Sequence, residues 1–135
     1  MSELLLFRHA KSDWGIGLPD AERPLNRRGE ESARLMGRMM ATAGRVPALV
    51  LSSPARRARL TADLAAEAGS WPSPIIEDGR LCPGSPGQIL RVVREQADGT
   101  ERVMVVGHEP ALSQTAGLLL GGASLRMVTA AAACI

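Results

Sequence analysis

The sequence predicts an α/β fold in which a mainly parallel central sheet carries helices on both faces. Two observations predict it. Several apolar runs are continuous rather than alternating, which marks strands buried on both sides, the pattern of parallel sheets. Between those runs lie segments with helix start signals and helical apolar spacing, so strands and helices alternate along the chain. At 135 residues the chain suits one domain, 1–135, long enough to bury a core without a metal or disulfide staple.

The first strand is the run 4–7, followed directly by Arg8 and His9. The loop 10–26, with Gly15, Gly17, Pro19 and Pro24, is longer than a simple connection requires and is read as functional. Residues 27–43 form a helix that brings Ser32, Met36, Met39, Met40 and Ala43 near one stripe. A second strand occupies 48–51. Ser53 as N-cap and Pro54 at the first helical position start a helix that ends near Gly69. Ile75 and Ile76 give a short strand within an irregular surface stretch, 69–87. Ser85-Pro86 repeats the start signal for a helix over 86–97, closed by Asp98-Gly99. The run 103–106 is a strand that ends in Gly107-His108. Pro110 opens a fourth helix reaching Gly121-Gly122, and 126–135 reads as a weaker last strand.

Composition removes several function classes. Phe7, Trp14 and Trp71 are the only aromatic residues, too few for a base-stacking platform. Net charge is +2, with Lys11 the single lysine and no basic run, so no nucleic-acid partner is expected. Cys82 and Cys134 match no metal spacing and read as reduced thiols of a cytoplasmic protein. The run 4–7 is too short for a signal-peptide core, and no stretch approaches the ~20 apolar residues of a membrane span. No cofactor and no metal are expected, and the oligomeric state is not encoded in any readable feature.

The chemistry concentrates at strand ends. In open α/β sheets ligands bind beyond the carboxyl ends of the strands, and the chain's only histidines, His9 and His108, both fall there. Arg56, Arg57 and Arg59 crowd the start of the second helix, at the positive end of its dipole, where cations are unfavourable unless an anion joins them. Arg8, at the end of a buried strand, also needs an anionic partner. Together with the histidines these groups outline a cationic pocket for a phosphoryl group, in which a histidine can act as nucleophile. Ser12 either donates to such a phosphate or caps the loop locally.

Arg8-His9-Ala10-Lys11-Ser12-Asp13-Trp14 resembles the R-H-G/A motif of the histidine phosphatase superfamily, the phosphoglycerate-mutase-like proteins. The resemblance continues in Arg23-Pro24-Leu25 with Gly29, in 53–61 (S-P-A-R-R-A-R-L-T), and in Val105-Val106-Gly107-His108-Glu109-Pro110, in the family's order. The short chain, the R-H-A-K-S-x-W form and the G-H-x-P ending look most like SixA-type phosphohistidine phosphatases. The resemblance implies the family's three-layer fold, a metal-independent phosphatase, His9 as the phosphorylated nucleophile, Arg8 and Arg57 as phosphate ligands, and His108 as a donor to a phosphate oxygen. Arg56 and Arg59 do not match the family's arginine and either steer substrate or are solvated.

Two departures bear on substrate. Gly15 stands where mutases carry Asn, and the insertion that supplies the general acid in mutases is short here, leaving Asp78, Glu77 or Asp13 as candidate acids. A phosphohistidine substrate needs no such acid, because imidazole leaves more readily than an alkoxide. The expected substrate is therefore phosphohistidine in a protein, or a small phosphoester, met at an open pocket with Trp14 either lining its rim or anchoring its loop. The competing readings are a broad small-molecule phosphomonoesterase or mutase-like enzyme, and a non-catalytic phosphate- or phosphoprotein-binding module. A metal-dependent hydrolase fits poorly, because two histidines without a carboxylate at ligand spacing make a weak site.

Overall fold

Leu4 to Phe7, the first apolar run, are all buried within β1 (Glu3–Arg8) of a five-stranded sheet. The computed structural model describes residues 3–15, 17–120 and, in its backbone, 132–134. The other strands are β2 (Leu49–Ser52), β3 (Ile75–Glu77), β4 (Arg102–Gly107) and β5 (Ala132–Cys134), in spatial order β3-β2-β4-β1-β5. All pairings are parallel except that of β5 with β1. The helices are α1 (Arg27–Thr42), α2 (Arg56–Gly69), α3 (Pro86–Gln96) and α4 (Ala111–Leu119), with single 3-10 turns at Asp20–Glu22 and Gly79–Leu81.

The unbroken apolar runs divide by pleat. Leu4, Leu6, Leu49, Leu51, Val103 and Val105 pack with Ile89, Val92 and Val93 of α3 and Leu112 of α4. Their neighbours Leu5, Phe7, Val50, Met104 and Val106 pack on the other face with Met40 of α1 and Ala58, Ala62 and Ala65 of α2. Both faces are covered, which is why these strands cannot alternate apolar with polar residues. Full burial of each large side chain contributes roughly 1.5–3 kcal/mol, so the strand ends that carry the histidines are held by the best-packed part of the molecule.

The expected α/β architecture is present, with differences in detail. Met39 is 54% exposed, and the buried face of α1 consists of Gly29, Ala33, Gly37 and Met40. Small residues are needed there because α1 lies against α2: a Cβ on Gly37 would sit 2.0 Å from the Ala65 carbonyl oxygen. The four-residue spacing of Gly29, Ala33 and Gly37 marks this face; of the expected stripe Met40 is buried on it and Met36 packs against the core, while Met39 is not. The second helix starts at Arg56, with Ala55 rather than Ser53 in the cap position. Ser53 still belongs to the strand exit, because its N–H donates to the Val106 carbonyl. Pro110 caps α4 instead of opening it, whereas Ser85 caps α3 as expected by accepting from the Gln88 N–H. Residues 121–122, 126–131 and 135 lie outside the described residues. Among those described, no helix is long and apolar enough to cross a membrane.

Register places the site. Arg8 of β1 lies opposite Gly107 of β4, and the His9 N–H donates to the Gly107 carbonyl at 3.1 Å. The two residues that follow these strands, His9 and His108, therefore emerge side by side, with ring centroids 5.2 Å apart.

Candidate active site

The two imidazoles are buried, each 8% exposed, and each has one nitrogen committed. His9 Nδ1 lies 2.7 Å from the Ala10 carbonyl oxygen. A carbonyl only accepts, so the proton sits on Nδ1 and Nε2 keeps its lone pair. Burial, reinforced by the charges of Arg57, Arg8 and Arg23, lowers the His9 pKa to about 4, against the opposing effect of the Ala10 bond.

His108 is held from the other nitrogen. Its Nε2 lies 2.7 Å from Ser53 Oγ, and that oxygen already accepts from the Ala55 N–H at 3.2 Å. We assign the hydroxyl proton to Nε2, which completes this run of hydrogen bonds and puts the ring's own proton on Nδ1. Nδ1 is buried and has no hydrogen-bond partner. Burial, then the Arg57 and His9 charges, lowers this pKa to about 4 as well. Two neutral rings of the same Nδ1–H tautomer result, engaged at opposite nitrogens: His9 is left with the Nε2 lone pair and His108 with the Nδ1 N–H.

Arg57, in the first turn of α2, is 8% exposed. Its Nη1 donates to the Asp20 carbonyl at 2.8 Å and its Nη2 to Asp20 Oδ2 at 3.2 Å. Its Nε is buried without a hydrogen bond. Thr61 joins this helix to the histidine loop, accepting from the Ala10 N–H at 2.9 Å while donating to the Arg57 carbonyl at 2.7 Å. That link explains why a threonine follows the arginine by four residues in the motif.

The loop 10–26 folds back on itself. Ser12 bridges Leu25, the Asp13 N–H donates to the Pro24 carbonyl, and Asn26 caps α1 by accepting from the Gly29 N–H at 2.7 Å. Gly29 is obligatory at this closure, since a Cβ would lie 2.1 Å from the Lys11 carbonyl oxygen. Arg23 is the hub. It is 6% exposed, donates to Ser12 Oγ at 2.7 Å and to Asp20, and stacks 3.5 Å over the Trp14 ring. Trp14 itself is 78% exposed, so it both anchors the loop through Arg23 and forms a rim.

A pocket of about 300 Å³ brings together Arg8, His9, Ser12, Arg57 and His108, with Lys11 and Arg23 adding positive charge. The three sequence-predicted acids do not line it. Glu77 pairs with Arg59 at 2.9 Å. Asp78 pairs with Arg80 at 2.9 Å, and Arg80 holds its carboxyl below the usual range. Asp13 accepts from the Gly15 N–H. The carboxylates that line the pocket are Asp20 and Glu109. Hydrogen bonding from Arg23 holds the Asp20 carboxyl below its usual range, and both Glu109 oxygens accept from Ser113. Arg59 is also paired with Asp63, Arg56 is exposed with a bond to the Glu22 carbonyl, and neither lines the pocket.

Sequence reasoning passed over Asp20, Arg23, Ser53 as a histidine partner, Thr61 and Glu109. The i, i+3 spacing of Asp20 and Arg23 before Pro24 was a usable signal for the first two. Among the described residues, no group of three or more His, Cys, Asp or Glu side chains is placed to share a metal ion.

The family model described as histidine phosphatase superfamily (branch 1) matches residues 4–84. The chain is 33% identical over 122 residues to an uncharacterized protein of Picosynechococcus sp., covering 89% of this chain and 74% of that one. It is 40% identical over 85 residues to the 2,3-bisphosphoglycerate-dependent phosphoglycerate mutase of Thermobifida fusca, covering 60% of this chain and 34% of the mutase. A crystal structure from Agrobacterium tumefaciens, provisionally assigned as the phosphohistidine phosphatase SixA, superposes with a TM-score of 0.82 at 29% identity over 89% of this chain and 77% of that one. The protein histidine phosphatase SixA complexed with tungstate gives a TM-score of 0.87 at 24% identity over 98% and 86%. Sequence, fold and neighbours agree: the chain belongs to the histidine phosphatase superfamily, branch 1, as a SixA-like phosphatase.

Proposed function

We propose that this phosphatase hydrolyses phosphohistidine in proteins through a phospho-His9 intermediate and without a metal ion. The observation that carries the reading is the His9 tautomer. With Nδ1–H given to the Ala10 carbonyl, Nε2 holds its lone pair in a pocket lined by Arg8, Arg57 and His108.

In the first step His9 Nε2 attacks phosphorus, and the bond from phosphorus to the substrate's ring nitrogen breaks. The departing imidazole takes a proton from solvent. Arg8 and Arg57 balance the charge on the equatorial oxygens, and His108 Nδ1–H donates to one of them. In the second step water attacks the phosphorus, the bond to Nε2 breaks, and phosphate leaves with the water's remaining proton shared with solvent. Ser12, already bonded to Arg23, fixes the loop edge beside the phosphate.

The substrate class is supported by the state of the acids. An alkyl ester needs a proton donor for its leaving oxygen. Glu77 and Asp78 are engaged by arginines away from the pocket, and Asp20 is held ionised by Arg23. A leaving imidazole makes no such demand.

The test is to trap the enzyme with a labelled phosphodonor. An acid-labile, alkali-stable label in the wild type, absent from His9→Ala, is expected. Label that persists in the variant overturns the mechanism. Turnover of an alkyl phosphomonoester equal to that of a phosphohistidine peptide overturns the substrate, and loss of activity in a chelator overturns metal independence.

A further inference from the structure

Asp20 lines the phosphate pocket but takes no part in the chemistry. Taken by charge alone, a carboxylate there opposes the dianion that must bind. Its contacts give it a different use. The side chain is 65% exposed, yet each oxygen meets a separate guanidinium. Oδ1 accepts from Arg23 Nε at 3.2 Å and Nη2 at 2.9 Å, and Oδ2 accepts from Arg57 Nη2 at 3.2 Å. The Asp20 carbonyl accepts from Arg57 Nη1 at 2.8 Å. That carbonyl is itself fixed by the 3-10 turn, where it also accepts from the Arg23 N–H at 3.3 Å.

Among the described residues, both hydrogen bonds of the Arg57 side chain end on Asp20, and Arg57 Nε is buried without any. An arginine stem is long and rotates freely, and a phosphoryl group takes parallel N–H bonds only from a fork whose plane is set. One backbone and one side-chain acceptor on the same residue set that plane, and each Nη keeps a second N–H for a ligand. Arg23 is the anchored end of the array. It is buried, stacked over Trp14 and bonded to Ser12, so it holds the carboxylate through the oxygen that Arg57 does not use.

We infer that Asp20 is a positioning residue that acts through Arg57: its carbonyl and carboxylate set the plane of the guanidinium before the phosphoryl group arrives, while Arg23 holds Asp20 in place. This rests on the phosphatase reading and deepens it. Asp20 neither touches phosphorus nor moves a proton. Its contribution is the orientation of another side chain, which outweighs the repulsion its own charge adds.

The experiment is a double-mutant cycle read as kcat/KM for 4-nitrophenyl phosphate, in wild type, Asp20→Ala, Arg57→Met and the double variant. Asp20→Ala should lower kcat/KM about 10-fold, the scale of one charge-assisted hydrogen bond. Arg57→Met keeps the stem and removes the fork. In that background Asp20→Ala should change the rate by less than about 2-fold, or raise it by lifting the repulsion that remains. Asp20→Asn, with one acceptor oxygen for two guanidiniums, should fall with Asp20→Ala. An equal loss in both backgrounds assigns Asp20 to the loop rather than to Arg57, and a gain in both leaves only its charge; either overturns the inference. So does an Asp20→Ala or Asp20→Asn protein as active as wild type. Full activity of Asp20→Ala with His9 still labelled refutes this inference alone, whereas a wild type that forms no label refutes the mechanism beneath it.

Discussion

β1 and β4 end almost identically, each an apolar run of four residues leading to a histidine, yet the two histidines are secured in opposite senses. His9 gives its Nδ1–H to the carbonyl of the next residue, a bond that any sequence could supply. His108 is secured at Nε2 by Ser53, a side chain delivered from the end of β2, 55 residues away. The local bond leaves a lone pair on His9, and the long-range bond leaves an N–H on His108. In the proposed mechanism, equivalent strand ends thus present a nucleophile and a donor to one phosphoryl group. The difference lies in which nitrogen the surroundings occupy, not in the burial or pKa of the rings, which match.

If the roles divide in this way, the two histidines cannot be equally costly to remove. His9→Ala should lower kcat by on the order of 10⁴-fold or more, the scale on which loss of a covalent catalytic group falls. His108→Ala removes one donor to the phosphoryl oxygens and should lower kcat by about 10²–10³-fold. It should still form label at His9 under single-turnover conditions. Equal losses, or a labelled His108 in place of His9, would reverse the assignment.

Ser53→Ala tests the bond that distinguishes the rings. It leaves His108 in place but releases the tautomer, so kcat should fall by about 3- to 10-fold, one hydrogen bond's worth, with KM little changed. Ser53→Thr, which restores a hydroxyl, should recover most of the rate. A loss with Ser53→Ala that Ser53→Thr does not recover would mean that the serine acts through packing at the strand exit.

These contrasts separate what the sequence displays from what it conceals. Apolar runs, capping serines and the strand-end placement of His9 and His108 are local or short-range features, and they carry the sheet, the helices and most of the pocket. Ser53 carried its information too, but its best local reading was a helix cap. The chain there remains tied to Val106, so the helix starts two residues later than the cap reading implies. Asp20 had a local sign in Arg23 three residues on, but its place beside the pocket was obscure because Arg57 reaches it only when the loop 10–26 folds against α2. Glu77 and Asp78 looked like candidate acids from their position alone; Glu77 is engaged by Arg59, a neighbour brought by folding, and Asp78 by Arg80, only two residues on.

The smallest expected effect is an absence of change, and it tests the feature the two rings share. With both pKa values lowered to about 4 by burial and by the pocket's arginines, neither imidazole should charge between pH 7.5 and 5.5. An unperturbed histidine would be about nine-tenths protonated at pH 5.5. Because the chain has only two histidines, their two Cε1–H proton resonances can be followed by NMR and assigned with His9→Ala. Both should titrate with midpoints near pH 4, and a midpoint near 6.5 for either would show that ring to be hydrated rather than enclosed. The same shift carries a stability consequence of fixed sign. Between pH 6.5 and 4 the unfolded chain binds protons that the folded one refuses, so stability must fall as pH drops through that window and gain nothing further from these groups above it. Inorganic phosphate binds the charged form more favourably and should raise both midpoints, the more so for the ring whose added proton would meet it. That proton goes to the free Nε2 of His9 but to the Ser53-bonded Nε2 of His108, so an upward shift larger for His9 than for His108 would distinguish nucleophile from donor without any turnover at all.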